Sequence, residues 1–367
     1  MERAWIAGEP VALDAAIAEA AKLVAASNQM LIAGLGTDVA GVRAAVSLAQ
    51  RIGGVIDHMH SKSLLRDLDV VRSSGVMLTT PTEAAVRADT LLLAGPIPQT
   101  GPFAQLVSGS VRRTAGGTAQ RIFWLCPGSN TVKTASGRND INVVGKSLHD
   151  LPALLAALRA RIAGRPVAKT AISAKTLEQL SRELKASRFG VAMWSVAAID
   201  ALAIEMLCGL VNDLNATTRF ATLPLLPEDN APGALQVCGW MTGLPMRTGF
   251  GCGYAQHDPW LFDSRRLVYS SEADCVVWIS AYRAEAPPWR DSPPTIALTA
   301  DEARFNAPPR VHIAVGAPSV DHDAVHYLPS TGTLAAVAAS QPRKLISVAD
   351  AISRIGAALP NVGAARC

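Results

Sequence analysis

Residues able to carry chemistry fall in five places along the chain. The first is Gly34-Leu35-Gly36-Thr37-Asp38-Val39-Ala40-Gly41. A dinucleotide fingerprint needs G-x-G-x-x-G at the opening of a helix, with an acid about 20 residues later for the ribose. Here the third glycine comes late, although Asp57 follows the next apolar run at a suitable distance. An NAD-type site and a plain tight βα turn both use such glycines. Asp38 weighs against the nucleotide, because a carboxylate at the helix start repels a pyrophosphate that needs bare N–H groups there.

The second place is His58-Met59-His60. On a strand, two histidines two apart point the same way and suit a metal ion; a polar strand end beside a cleft is the alternative. The third is Asp321-His322-Asp323 with His326, either a ligand cluster or a solvated surface loop. The fourth is Ser63, in Ser61-Lys62-Ser63-Leu64-Leu65, with no G-x-S-x-G elbow around it. The fifth is Asn230 to Pro245, within a proline- and glycine-rich stretch from Pro224 to Gly253 that reads as a loop. It carries Trp240, so a binding or interface role stands beside that of a long connection.

These residues need a scaffold, and the chain supplies one. Its 367 residues are 49% hydrophobic and only 5% aromatic, enough for two domains or one large α/β domain. A net charge of +4, with no basic run interleaved with aromatics, argues against nucleic acid. The cysteines Cys126, Cys208, Cys238, Cys252, Cys275 and Cys367 include no C-x-x-C pair, so they read as ordinary thiols of a reducing cytoplasm. No signal peptide opens the sequence, and no apolar run reaches the about 20 residues of a membrane span.

Apolar periodicity marks the elements. Leu13, Ile17, Ala20 and Val24 predict an opening helix. Met30–Asp57 reads as a strand, a glycine turn, a helix capped by Thr37 or Asp38, and a second strand. Further strands are expected at 76–80, 90–94, 121–126, 141–144, 189–194, 219–223, 275–280, 295–298 and 311–315. Helices are expected at 81–89, 151–162, 176–186, 196–214 and 346–359. Strands that are continuous apolar runs, alternating with helices, predict parallel sheets covered on both faces.

The fifth stretch also carries a family likeness. Its pattern N-x-x-G-x-x-x-V-x-x-W-x-T-G-x-P, running from Asn230 through Gly233, Val237, Trp240, Thr242 and Gly243 to Pro245, resembles the B subunit of formylmethanofuran dehydrogenase. Gly53 to Asp57, Leu91 to Pro98 and Ala273 to Trp278 are similar to other segments of that family, in the same order. The resemblance spans about residues 28–330. It implies the α/β molybdopterin-oxidoreductase scaffold, lacking its N-terminal iron–sulfur region, with two Rossmann-like lobes. One lobe is expected from 1–60 plus 245–367 and the other from 61–244; a cut near Gly164-Arg165-Pro166 is the alternative.

Departures from the family set the expected role. Where that family places an adjacent Cys-His at its tungsten or molybdenum, the likeness puts Ser63 and Leu64. A serine hydroxyl is a poor soft-metal ligand and leucine moves no proton. The resemblance therefore implies a degenerate, redox-inactive B subunit of the bacterial formyltransferase/hydrolase complex, without molybdopterin or iron–sulfur cluster. That complex takes formyl-tetrahydromethanopterin to formate through a methanofuran-like carrier, with the A, C and D subunits as partners and C the closest. A vestigial pocket is expected near Ser63, Leu64, Asn230, Gly233 and Gly243. An active tungsto- or molybdopterin enzyme chain and an NAD(P)-binding Rossmann oxidoreductase are the alternatives.

Overall fold

The computed structural model describes residues 3–98, 120–128, 141–168, 170–289, 293–300 and 303–360. In the first stretch β1 (Ala4–Ile6) and β2 (Glu9–Val11) precede α1 (Leu13–Ala26), β3 (Met30–Gly36), α2 (Val39–Ile52), β4 (Val55–Ile56) and α3 (Ser61–Ser74). The middle holds α4 (Pro81–Arg87), β5 (Thr90–Ala94), β6 (Arg121–Leu125), β7 (Ile141–Val144), α5 (Leu151–Ile162), α6 (Ala174–Lys185), β8 (Gly190–Ser195), α7 (Ala201–Leu214) and β9 (Phe220–Leu225). Then come α8 (Ala231–Thr242), β10 (Thr248–Gly249), β11 (Gln256–His257), α9 (Ser264–Tyr269), β12 (Cys275–Ser280), β13 (Thr295–Thr299) and β14 (Val311–Ala314). The hairpin β15 (Ala324–Leu328) and β16 (Thr333–Val337) and the helix α10 (Val348–Ala357) complete the order.

The chain divides into two compact units, residues 1–65, 227–327 and 334–367 against 66–226 and 328–333. The first carries a nine-stranded sheet in the order β11-β10-β4-β3-β12-β13-β14-β1-β2, parallel from β4 to β14 and antiparallel at both edges. The second carries an all-parallel sheet, β7-β6-β5-β8-β9. The expectation of parallel sheets holds for the centre of the first and for all of the second. Residues 227–244 fall with the first unit, whereas the family likeness set them in the 61–244 lobe.

Strand β3 shows why a continuous apolar run belongs in the middle of such a sheet. All seven residues are buried. Met30 and Ile32 face the core built with α1, α2, α8 and α10, while Leu31 and Ala33 face the smaller core with Leu267, Val268 and Trp289. A strict alternation would send Leu35 to the second core, yet it lies in the first. A β-bulge makes the change: between Trp278↔Ala33 and Ser280↔Gly36, β3 spends one residue more than β12. Gly34 and Leu35 both take positive φ there, +81° and +55°. A Cβ on Gly34 would stand 2.4 Å from the Ile279 carbonyl oxygen. The bulge ends the run at the turn into α2, which Asp38 caps by accepting from Gly41 N at 3.0 Å and Gly53 closes at φ +72°.

Three expectations change. Residues 76–80 form no sustained strand but a single bridge, Leu78 to Thr222, beside β9. Met77 and Leu78 are exposed, so no second face is there to be buried. The proline- and glycine-rich stretch 224–253 contains α8, with Pro232 in its first turn and Gly243 in the left-handed C-terminal position. Those residues punctuate a helix rather than break one. The helix expected from Val196 starts at Ala201, where Asp200 caps it through Ala203 N at 2.8 Å. The hairpins β1–β2 and β15–β16 and the helices α3 and α9 have no counterpart among the elements that periodicity marks. No helix among the described residues is long and apolar enough to cross a membrane.

Replacing Gly34 by alanine should destabilise the chain by more than about 2 kcal/mol, through both the backbone strain and the clash with Ile279. Gly164→Ala, at a similar φ of +71° but in open space, should cost about 1 kcal/mol. Urea unfolding of the two variants tests this: equal losses would show that the bulge tolerates a side chain.

Candidate functional site

In open α/β sheets, ligands bind beyond the carboxyl ends of the strands, where the order of connections reverses. In the first unit that point lies between β3 and β12. From β3 the chain goes to β4 on one side, and from β12 to β13 on the other. Gly36, Thr37 and Asp38 leave β3 there, and Tyr282 and Arg283 leave β12. The turn after β4 is tied to β3 by backbone bonds from Asp57 N to the Ile32 carbonyl and from Met59 N to the Gly34 carbonyl, each 3.0 Å. Asp229 and Asn230, before α8, reach the same edge. A Cβ on Gly36 would meet Met59 Cε at 3.2 Å and Asp229 Cβ at 3.6 Å.

Asp229 is the centre of this edge. It and Asn230 hold successive left-handed conformations, φ +57° and +56°, which turn the chain into α8. The Asp229 carboxylate is buried and accepts from His60 Nε2 at 3.1 Å and from Arg283 Nε at 2.9 Å; the Arg283 amino group closes a second bond. Burial pushes this carboxyl up, but the hydrogen bonds from His60 and Arg283 outweigh it and hold it below the usual carboxylate range.

His58 is fully enclosed. Its Nδ1 accepts from the His60 backbone N–H at 3.0 Å, so the ring proton is on Nε2, which faces the Asp229 carbonyl oxygen at 3.3 Å. Burial, then the neighbouring His60, lowers its pKa to about 3, and the ring is neutral. Asn230 is spent in the same way. Its Nδ2 donates to the Thr37 carbonyl and its Oδ1 accepts from Tyr327 N, both at 2.8 Å. Gly233 makes room for that amide, since a Cβ there would stand 2.1 Å from Asn230 Oδ1. Beside them, Tyr282 Oη and His326 Nδ1 lie 3.0 Å apart with stacked rings. Burial raises the Tyr282 hydroxyl and lowers the His326 imidazole.

The residues singled out in the sequence fare differently. Ser63 lies in the first turn of α3, and its hydroxyl donates to the His60 carbonyl at 3.0 Å; Leu64 is buried. Asn230 and Gly233 stand together at the start of α8. Gly243 is at the opposite end of that helix, roughly 20 Å away at 1.5 Å per residue, and takes no part in this edge. The histidine pair lies in the turn after β4 rather than on the strand, and both ring nitrogens of His58 are engaged. Asp57 does not face a ribose site: it accepts from Ser264 N at 2.9 Å and pairs with Arg247. The helix N-terminus that a pyrophosphate would need is filled by Asp38.

The cluster at 321–326 is also dispersed. Asp321 is buried against Arg343 and Ala317 N, Asp323 accepts from Ala339 N, and His326 lies on β15 with Tyr282. Among the described residues no group of three or more His, Cys, Asp or Glu is placed to hold a metal ion. Cys126, Cys208, Cys238 and Cys275 are buried, with thiols pushed up to about 11, 11, 11 and 12 by desolvation. Cys252 is exposed, and Cys367 lies outside the described residues. Sequence reasoning missed Asp229, Arg283 and Tyr282. Arg283 stands 54 positions from Asp229, and no local spacing links them.

No family model matches the chain. It is 32% identical to the B subunit of the formyltransferase/hydrolase complex Fhc of Methylorubrum extorquens over 346 residues, covering 93% of this chain and 92% of that one. It is 28% identical to the B subunit of the tungsten-containing formylmethanofuran dehydrogenase 2 of Methanocaldococcus jannaschii, over 73% of this chain and 64% of that protein. A chain in the crystal structure of the formyltransferase/hydrolase complex of Methylorubrum extorquens, determined with methylofuran, superposes with a TM-score of 0.84 at 31% identity. The match covers 96% of this chain and 97% of that one.

The enclosed His58 carries a pH signature. Its folded pKa of about 3 lies below the unfolded value of 6.5, so the unfolded chain takes up the proton first as pH falls. Its contribution is intact above pH 6.5 and is lost toward pH 3, at up to about 1.4 kcal/mol per pH unit. His58→Gln removes that titration. Urea titrations at a series of pH values should give a shallower decline for the variant below pH 6.5; matching slopes would show that His58 is charged in the fold.

Proposed function

The chain belongs to the family of formyltransferase/hydrolase complex B subunits, and from that premise we propose that it is the structural, redox-inactive member of such a complex. The assembly would take the formyl group of formyl-tetrahydromethanopterin to formate through a methanofuran-like carrier. The A, C and D subunits would be its partners, C the closest, in the cytoplasm. Its α/β units would be those of the molybdopterin-oxidoreductase scaffold.

The observation that carries the redox-inactive role is the donor set at the edge between β3 and β12. A tungsten or molybdenum centre of the dehydrogenase kind calls for a soft thiolate beside a proton-moving group. The side chains gathered here are His58, His60, Asp229, Asn230, Tyr282, Arg283 and His326, with Ser63 and Leu64 alongside. None is a thiol. Ser63 gives its hydroxyl to a backbone carbonyl, and Leu64 is buried. These residues do not fit such a centre.

The self-contained bonding supports the structural role. A binding site keeps polar groups turned toward its ligand. Here Asn230 and His58 have turned theirs inward, onto Thr37, Tyr327, Asp229 and the His60 backbone.

Co-expression with the other three subunits tests the reading. The four chains should co-purify as an active complex in which elemental analysis finds tungsten and molybdenum far below one per copy of this chain. A full equivalent of either metal would overturn the redox-inactive role. An active complex lacking this chain would overturn the structural one.

A further inference from the structure

In the first unit helix α2 packs beside α10 and also against α8, and the outer faces leave a groove of about 500 Å³. Its buried lining residues are Leu48 of α2 and Ile352 of α10, and small residues border them: Ala40 and Ala44 from α2, Ser353 and Gly356 from α10. They recur at three to four residues on each helix, so no ridge fills the space between. The groove is also one-sided in charge. Arg43 and Arg51 line it, and no lining residue is acidic. Arg51 donates to the Gly356 carbonyl at 2.7 Å, which pins one guanidinium at the last turn of α10 with further N–H donors to spare. Arg43 is exposed and makes no hydrogen bond or ion pair among the described residues. The nearby acids Asp14 and Asp350 are turned to Arg354 and Ser347. Met241 reaches the groove from α8, and the adjacent Trp240 is 54% exposed.

We infer that this groove seats a helix from another chain of the assembly, presenting small apolar residues between two acidic side chains. The inference rests on the reading of the chain as a component of that complex. Charge complementarity selects the occupant: two arginines in a cleft without an acid favour carboxylates and disfavour a neutral or basic segment. Geometry sets its register. Arg43 and Arg51 are eight residues apart, about 12 Å along α2, so the acids lie seven or eight residues apart on a helix running along it. The lining from Ala40 to Arg51 spans roughly 17 Å, about three turns of such a helix. A second copy of this chain related by a two-fold axis fits worse, because it would bring the same arginines toward each other.

The test uses the co-expressed four-chain complex. A p-benzoyl-phenylalanine at Gln50, an exposed position of α2 beside Arg51 and outside the lining, should cross-link on irradiation to a helical peptide of another subunit with acids at that spacing. Arg43→Glu with Arg51→Glu should raise the dissociation constant of this chain from the complex at least tenfold, and high salt should weaken the wild type in the same sense. Ala44→Trp, which fills the groove without altering charge, should do likewise while the isolated chain keeps its circular dichroism. A cross-link to a second copy of this chain, or no cross-link with wild-type affinity in both variants, would overturn the inference and leave the proposed function standing. Failure of the wild-type chain to assemble with the other subunits would instead remove the proposed function, and the groove's occupant with it.

Discussion

One buried carboxylate ties together the carboxyl edge of the first sheet. Asp229 draws in the turn after β4 through His60, the segment after β12 through Arg283, and the enclosed His58 through its own carbonyl oxygen. A buried carboxylate is tolerable only when paired and hydrogen-bonded, and removing a partner costs more than the pair itself contributes. Here the pairing also sets backbone shape. Two successive residues with positive φ, Asp229 and Asn230, are strained positions that only a surrounding network holds in place.

That network explains residue choices that otherwise look catalytic. Gly36 admits Met59 and Asp229 to the strand end, Gly41 lies against Thr37, and Gly233 leaves space for the Asn230 amide. Asp38 fills the start of α2. The glycine turn, the histidine pair and Ser63, which suggested a nucleotide, a metal and a nucleophile, all have intramolecular partners. At this edge the polar groups of His58 and Asn230 serve the protein's own backbone.

The central strands are legible in the sequence because burial on both faces demands unbroken apolar runs: β3, β5, β6, β8 and β12 all appear as such. Helix α8 is hidden because proline and glycine read as breakers, while Pro232 stands at its first turn and Gly243 just past its end. The two short hairpins lack the long alternation that marks a strand. Around the candidate site, Ser63, Asn230 and Gly233 lie along one edge of the first sheet. Gly243 lies apart from them, because adjacency within a motif is not adjacency in space once a helix intervenes.

The amino-acid sequence alone determined the parallel α/β class, the position of the turn after β3, and the family likeness carried by Asn230 to Pro245. The first two follow from apolar periodicity and the placing of glycines; the likeness rests on matched segments occurring in the family's order. Only the tertiary structure decided what the polar residues do. Asp229, Arg283 and His60 come from three separate segments, and a hydrogen bond depends on where the fold delivers an atom, not on its distance along the chain. The same holds for the basic groove of α2 and α10, whose two helices lie about 300 positions apart in the chain and meet only because both cover one face of the sheet.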